Sequence, residues 1–255
     1  MSDRVLQDEV IRALADAPYR ASDGWRRRAL ADPERVERFA RFLARHFYFE
    51  RVVHFFKYSR ALARVTGRSP EAILRQPRFD TLLPTIVLGS GETARAVTGL
   101  VRDFVRTGTS RPPYHDDLLR YEAAMMVAEA GPRRWRETGK GEGGMEKGTS
   151  PEVVEGTVLL ELDYDLPAVL PKLLQPWTVT PDAPRRATTL LVARSKHGRV
   201  AVARAEGAVA SVVQLADGTK TLEDLARAVG LRPAELAATL DDLTEIGAVR
   251  FSTGS

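Results

Sequence analysis

Apolar residues recur at helical intervals through the first half of the chain and at strand intervals through much of the second. Asp32-Pro33-Glu34 predicts a helix start, with a side-chain acceptor at the cap, proline in the first turn and an acid at the positive end of the dipole. Val36, Phe39, Leu43, Phe47, Val53 and Phe56 follow near helical spacing, towards a stop at Gly67. Ser69-Pro70-Glu71 restarts a helix, and Thr93 to Val105 supports another. Tyr114 to Glu129 adds an amphipathic segment carrying Leu118, Leu119, Ala123 and Met126. No alternating pattern interrupts this half, so the expectation is an α-helical bundle.

The period then changes. Thr157 to Tyr164 reads as a strand, and a short helix is expected around Pro167 to Leu174. Thr188 to Arg194 and Arg199 to Arg204 flank Ser195-Lys196-His197-Gly198, which is turn chemistry for a hairpin. Helices are expected over 206–216, 222–229 and 233–246, the last stopping at Gly247, with Val249-Arg250-Phe251 returning as a short strand. Between the halves, Gly139 to Gly148 holds five glycines and almost nothing to bury, which is linker composition. Its Gly139-Lys140-Gly141-Glu142-Gly143-Gly144 is superficially like a phosphate loop, but it lacks the strand before and the helix after that such a loop needs. The expected fold class is α+β: an α-helical domain over 1–131, a flexible linker over 132–152, and a winged-helix-like domain over 153–255 with a small antiparallel sheet and three helices.

Composition narrows the setting. With 28% charged and 44% hydrophobic residues, the chain is neither a mainly disordered nor a collagenous one. No window approaches 18 uninterrupted apolar residues, and the first residues lack the basic and apolar regions of a secretory signal. Cysteine is absent, which removes disulfides, thiolate metal sites and cysteine nucleophiles. The expected location is cytoplasmic. Charge is uneven: residues 1–150 hold 27 Lys and Arg against 20 Asp and Glu, while residues 151–255 hold 11 against 14. Such asymmetry suggests two modules with different partners.

Signatures of catalysis are missing, since no nucleophile elbow, zincin helix, Walker loop or dinucleotide fingerprint occurs. Of the four histidines, His46 and His54 stand eight apart, about 80° round a helix, a poor arrangement for chelation. Ring packing beside Phe47 and Phe55 is the simpler reading. In His115-Asp116-Asp117 adjacent helical side chains diverge, and Asp117 suits a cap or dipole role. His197 falls in the hairpin turn. Leu88-Gly89-Ser90-Gly91-Glu92 could hold an anion at a helix start, although a glycine break between packed helices accounts for it more simply. No catalytic residue, metal ligand or cofactor is therefore assigned to the chain.

Residues 39–58 hold eight of the 18 aromatics, more than one buried face of a surface helix can hide. Such a helix is either central to the bundle or presents a face to another protein; Tyr48, Arg51 and Tyr58 are types favoured at interfaces. In the second half, Thr221 to Ile246 carries six acids and only Arg227 and Arg232, the wrong sign for a helix pressed on DNA phosphates. The strand Arg199–Arg204 could instead be a sheet edge that accepts a peptide as an added strand, beside an apolar helix stripe of Leu236, Leu240 and Leu243. Val200 and Val202 point to one face and Ala201 and Ala203 to the other, so proline at Ala201 or Ala203 is the expected probe of the edge.

Two stretches carry a family resemblance. The hairpin, Ala216-Asp217-Gly218-Thr219-Lys220-Thr221-Leu222-Glu223-Asp224-Leu225 and the closing Leu243-Thr244-Glu245-Ile246-Gly247-Ala248-Val249-Arg250-Phe251 resemble the PqqD-like peptide-recognition domain of ribosomal-peptide modification systems. Arg38 to Tyr48 and Tyr114-His115-Asp116-Asp117-Leu118-Leu119-Arg120-Tyr121-Glu122 resemble the helical half of the partner proteins of multinuclear non-haem iron oxidative enzymes, as in methanobactin biosynthesis. The resemblance implies a non-catalytic subunit that binds a precursor's leader, with iron housed in a separate enzyme joined as a heterodimer. It implies leader contacts at Val200, Val202, Arg204, Leu236, Leu240 and Leu243, and enzyme contacts at Tyr48, Arg51, Tyr58, Tyr121 and Glu122. A related helical family carries a DNA-binding label, so a winged-helix transcriptional regulator is the alternative.

Overall fold

The computed structural model describes residues 3–28, 32–130, 149–195, 197–205 and 207–253. The chain is a mixed α+β protein, and its contacts divide it into two compact units, 1–119 and 120–255. The division falls inside one helix rather than at residue 131. The glycine-rich segment lies outside the described residues, while residues 149–152, expected to belong to the linker, are already strand.

The first unit is helical. Helix α1 (Asp3–Ala15) leads through α2 (Ala17–Ala21) and α3 (Asp23–Arg26) to the long α4 (Pro33–Phe55). The expected start of α4 is realised: Asp32 accepts the Arg35 backbone N–H at 2.8 Å, with Pro33 in the first turn. The segment running to Gly67 is not one helix. It breaks at Phe56 and Leu62, both fully buried, into α4, α5 (Lys57–Ala61) and α6 (Ala63–Thr66). Redirecting the chain there turns both residues into the core, whereas six residues of straight helix would set them about 120° apart. Gly67 then ends α6 in the left-handed region, φ 68°.

Pro70–Arg75 is a 3-10 helix, followed by α7 (Pro77–Asp80) and a second 3-10 turn, Leu83–Thr85. At the start of α8 (Gly91–Arg106), Ser90 accepts the Thr93 N–H at 3.2 Å and its hydroxyl bonds the Thr93 hydroxyl, so the Leu88–Glu92 loop is a helix cap. Helix α9 (His115–Glu129) is buried over most of its surface: Leu118, Leu119, Glu122, Met126 and Ala128 are each fully enclosed, as is Tyr114 just before it, while Asp116 is exposed. It opens in the first unit and continues into the second.

The second unit holds two antiparallel sheets. Strand β1 (Thr149–Val153) pairs with β5 (Val249–Thr253), Pro151 opposite Phe251. Strands β2 (Val158–Leu162), β3 (Thr188–Arg194) and β4 (Val200–Arg204) form a three-stranded sheet in the order β2-β3-β4. Helix α10 (Leu166–Leu173) joins β2 to β3, and α11 (Ala208–Leu215), α12 (Leu222–Val229) and α13 (Pro233–Glu245) follow β4. Leu191, Ala193 and Ala205 share one core with Val212, Leu225, Leu236, Leu240 and Leu243, so one sheet face meets α11–α13. Leu160, Leu190 and Val192, on the opposite face, are also buried. At the end of α13, Gly247 lies so close to β3 that a Cβ there would stand 2.2 Å from the Arg194 carbonyl oxygen. Only glycine, at φ 78°, fits.

Candidate peptide-binding edge

Among the described residues, strand β4 lies at the margin of its sheet, paired with β3 alone. Its register fixes which backbone groups are engaged. The Ser195 N–H donates to the Arg199 carbonyl at 2.8 Å, and the Ala205 N–H donates to the Thr189 carbonyl at 3.0 Å. Alternation along an antiparallel ladder then makes Ala193–Ala201 and Leu191–Ala203 the hydrogen-bonded pairs. Val200, Val202 and Arg204 consequently turn their N–H and C=O groups away from β3. The expected proline probe is therefore misplaced: Ala201 and Ala203 spend their amides on the sheet, and Val202 faces outward.

Side chains sort the same way. Ala201 and Ala203 lie on the face that Leu191 and Ala193 bury against the helices. Val200, Val202 and Arg204 lie on the other face, where Val202 is 38% exposed. The middle of β4 carries no charge and no proline, the devices that usually guard an edge. The opposite margin, β2, carries the exposed Glu161 as its fourth of five residues.

The far end of β4 is pinned. Asp165, just before α10 and 4% exposed, accepts the Arg204 guanidinium at 2.7 Å on one carboxylate oxygen and Arg186 on the other. Arg204 keeps 43% of its side chain exposed beside the outward backbone.

Three of the expected leader contacts are corrected. Leu236, Leu240 and Leu243 are 1%, 0% and 2% exposed, at the centre of the core beneath the sheet. Helical spacing gave their common face correctly, but that face is spent on folding and offers no groove wall. Val200, Val202 and Arg204 remain.

The expected enzyme contacts fare likewise. Tyr48, Tyr121 and Glu122 are 1%, 7% and 0% exposed, hence inside the protein. Arg51 is half-buried, its guanidinium 3.5 Å from the centre of the Phe47 ring, and Tyr58 is half-buried beside Lys57. The exposed aromatics of α4 are instead Phe39, Phe42 and Phe49. Spacing 39-42-46-49 marks them as one stripe in the sequence, but the apolar count alone does not say which of two faces is outside.

Among the described residues, no three His, Asp or Glu side chains are grouped to hold a metal ion. His46 stacks on Phe42, and His54 meets Phe55 edge to face. His115 is 1% exposed with neither ring nitrogen hydrogen-bonded, and burial pulls its pKa from the ordinary 6.5 down to about 4. Asp116 points outward to Arg106 at 3.0 Å. A cleft between α2, α3 and α4 is lined by Trp25, Arg20, Glu37 and Arg41, but Glu37 already binds both arginines, at 2.5 and 2.8 Å.

The surface of α12 and α13 is acidic. Arg227 is engaged by Asp224 and Arg232 by Glu235, leaving Asp241, Asp242 and Glu245 exposed. Hydrogen bonds from Thr221 and Arg227 hold Asp224 below the usual carboxylate range, and those from Arg232 do the same for Glu235. No helix among the described residues is long and apolar enough to cross a membrane. The sequence matches no protein-family model and no curated protein.

Proposed function

We propose that the chain is a non-catalytic recognition subunit. It captures the leader of a ribosomally made precursor peptide as a fourth strand on β4 and presents the precursor's core to an iron-dependent oxidative enzyme. The observation that carries this reading is the unguarded β4 edge, with the Val200 and Val202 backbone groups directed outward and Val202 exposed. Strand addition takes its affinity from main-chain hydrogen bonds and its selectivity from alternate side chains, here Val200, Val202 and Arg204 on one face.

A three-stranded sheet followed by three helices is compatible with a winged-helix-like, PqqD-like module. That module also serves DNA binders. The acidic surface of α12 and α13 favours a peptide over a phosphate backbone. Tethering raises the local concentration of substrate at the enzyme to about millimolar without any chemistry in this chain. Arg51 and Tyr58 are the expected enzyme contacts that keep exposed surface.

The test is co-purification of the full chain with the oxidative enzyme, together with titration of the full chain with leader peptide and with duplex DNA at physiological salt. A stable complex and saturable leader binding are expected. Tight duplex binding without leader binding would move the assignment to a transcriptional regulator.

A further inference from the structure

One surface of the first unit has no role in strand capture. Along α4, Phe39, Phe42 and Phe49 are 49%, 60% and 39% exposed, although large apolar side chains normally turn inward on an amphipathic helix. They and exposed His46 recur at intervals of three and four residues, one continuous stripe of about three turns. The rings are ordered against one another: Phe39 stacks on Phe42 at 6.4 Å, and Phe42 on His46 at 6.1 Å with planes 4° apart. The opposite face of α4 supplies Ala40, Ala44, Tyr48, Val52 and Phe55 to the core, so the stripe is not needed for folding.

The ends of the stripe carry opposite charges. Arg35 lies one turn before Phe39, and Glu50 lies next to Phe49. Both are exposed, and neither side chain has an ion pair among the described residues. Other charges along α4 are engaged within the unit: Arg38 with Glu34, Arg41 with Glu37, and Arg45 with Asp80. A basic partner would be repelled at Arg35 and an acidic one at Glu50. An identical helix laid antiparallel satisfies both ends at once.

We propose that this stripe is the contact between two copies of the chain, paired about a two-fold axis through α4. Setting Arg35 opposite Glu50 of the second copy puts the axis midway between residues 42 and 43. Phe42 then meets its own counterpart, and Phe39 faces His46 across the contact. Every contact away from the axis occurs twice, as a two-fold interface requires. The exposed part of three phenylalanines is about 300 Å² per copy, taking about 200 Å² for each ring side chain. With His46, Arg35 and Glu50 added, the total for two copies approaches the lower edge of specific interfaces, about 1,200 Å². The dimer is accordingly a reversible one, with a dissociation constant in the micromolar range.

The test is sedimentation velocity of the full chain between about 5 and 200 μM, a range chosen to bracket micromolar dissociation. Wild type should shift from monomer to dimer across it. Phe42→Glu should raise the dissociation constant at least about tenfold, because it buries an unpaired charge at the axis. Arg35→Glu and Glu50→Arg should each be monomeric, since each sets like charges together at both ends. An equimolar mixture of these two variants should recover the dimer, because each supplies the charges the other needs. Circular dichroism melts matching wild type confirm that these exposed changes leave the fold intact. A wild type that stays monomeric throughout, a dimer indifferent to Phe42→Glu, or a mixture that fails to recover overturns the proposal. The first of these outcomes assigns the stripe to a different protein.

Discussion

Proline at Val202 separates the outward edge of β4 from its inward one. The change removes one N–H directed away from β3, and the ladder bonds of Ala201 and Ala203 are untouched. A net hydrogen bond contributes about 0.5–1.5 kcal/mol, so losing one should weaken leader binding by roughly twofold to tenfold. The bulk of the ring against a guest strand pushes the effect to the upper end. Proline at Ala203 is the matched control. It removes the donor that pairs with the Leu191 carbonyl, and Leu191 is 1% exposed, so the orphaned acceptor costs about 1–3 kcal/mol of stability. Fluorescence anisotropy of a labelled leader peptide gives the affinities, and circular dichroism melts give the stabilities. Val202→Pro should lose affinity and keep its melting temperature within a few degrees; Ala203→Pro should lose several degrees. Unchanged peptide affinity in Val202→Pro, with the fold intact, would refute strand addition at this edge.

Leu240→Ala should destabilise the protein by about 2–5 kcal/mol in urea titrations, since the side chain is fully buried among α11–α13 and β3; a loss of peptide affinity at unchanged stability would contradict that placement. Asp165→Asn should cost about 1–3 kcal/mol, because the buried carboxylate holds Arg186 and Arg204 together, and an unchanged urea midpoint would show the clamp to be idle. His115 stays neutral in the folded protein down to about pH 4, whereas the unfolded chain takes up the proton near 6.5. The unfolded state therefore binds more protons between those values, so the stability His115 confers is complete above pH 6.5 and falls by up to about 3 kcal/mol as the pH drops to 4. His115→Phe should flatten that part of the stability–pH curve, and a curve of unchanged slope would exclude the assignment.

The elements that stand out in the sequence are those with local chemistry at their ends. Asp32-Pro33, Ser90 and Gly247 mark boundaries because cap, proline and left-handed glycine act on the next few residues only. Helix α12 over Leu222–Val229 falls where its pattern sets it. Strand β1 has no such signal: Thr149-Ser150-Pro151-Glu152-Val153 lacks alternation and is extended because β5 pairs with it from far along the chain. The breaks at Phe56 and Leu62 are equally non-local, since periodicity continues through them and tertiary burial decides. The candidate site divides along the same line. The edge strand and its faces follow from period two, but which amides look outward depends on the hairpin register. Whether Leu236, Leu240 and Leu243 form a wall or a core depends on what covers them. A stripe looks the same in sequence either way.

The pairing of β1 with β5 has a consequence for how the chain is made. About a hundred residues separate the two strands, so at about 5–20 residues per second β1 leaves the ribosome some five to twenty seconds before its partner exists. During that interval the three-stranded sheet and α11 can assemble from neighbours in sequence. The segment after α11 can reach one edge of β1, where the Val153 N–H donates to the Ala216 carbonyl and the Gly218 N–H to the Pro151 carbonyl, both at 2.9 Å, while the β5 side of β1 waits bare. Closure comes with Val249 to Thr253, and Glu152 then meets Arg250 at 2.9 Å across the new pair. A polypeptide halted between the end of α13 and residue 249 would carry a nearly finished unit with one strand edge still seeking a mate, which is the form most prone to pair with a neighbour instead.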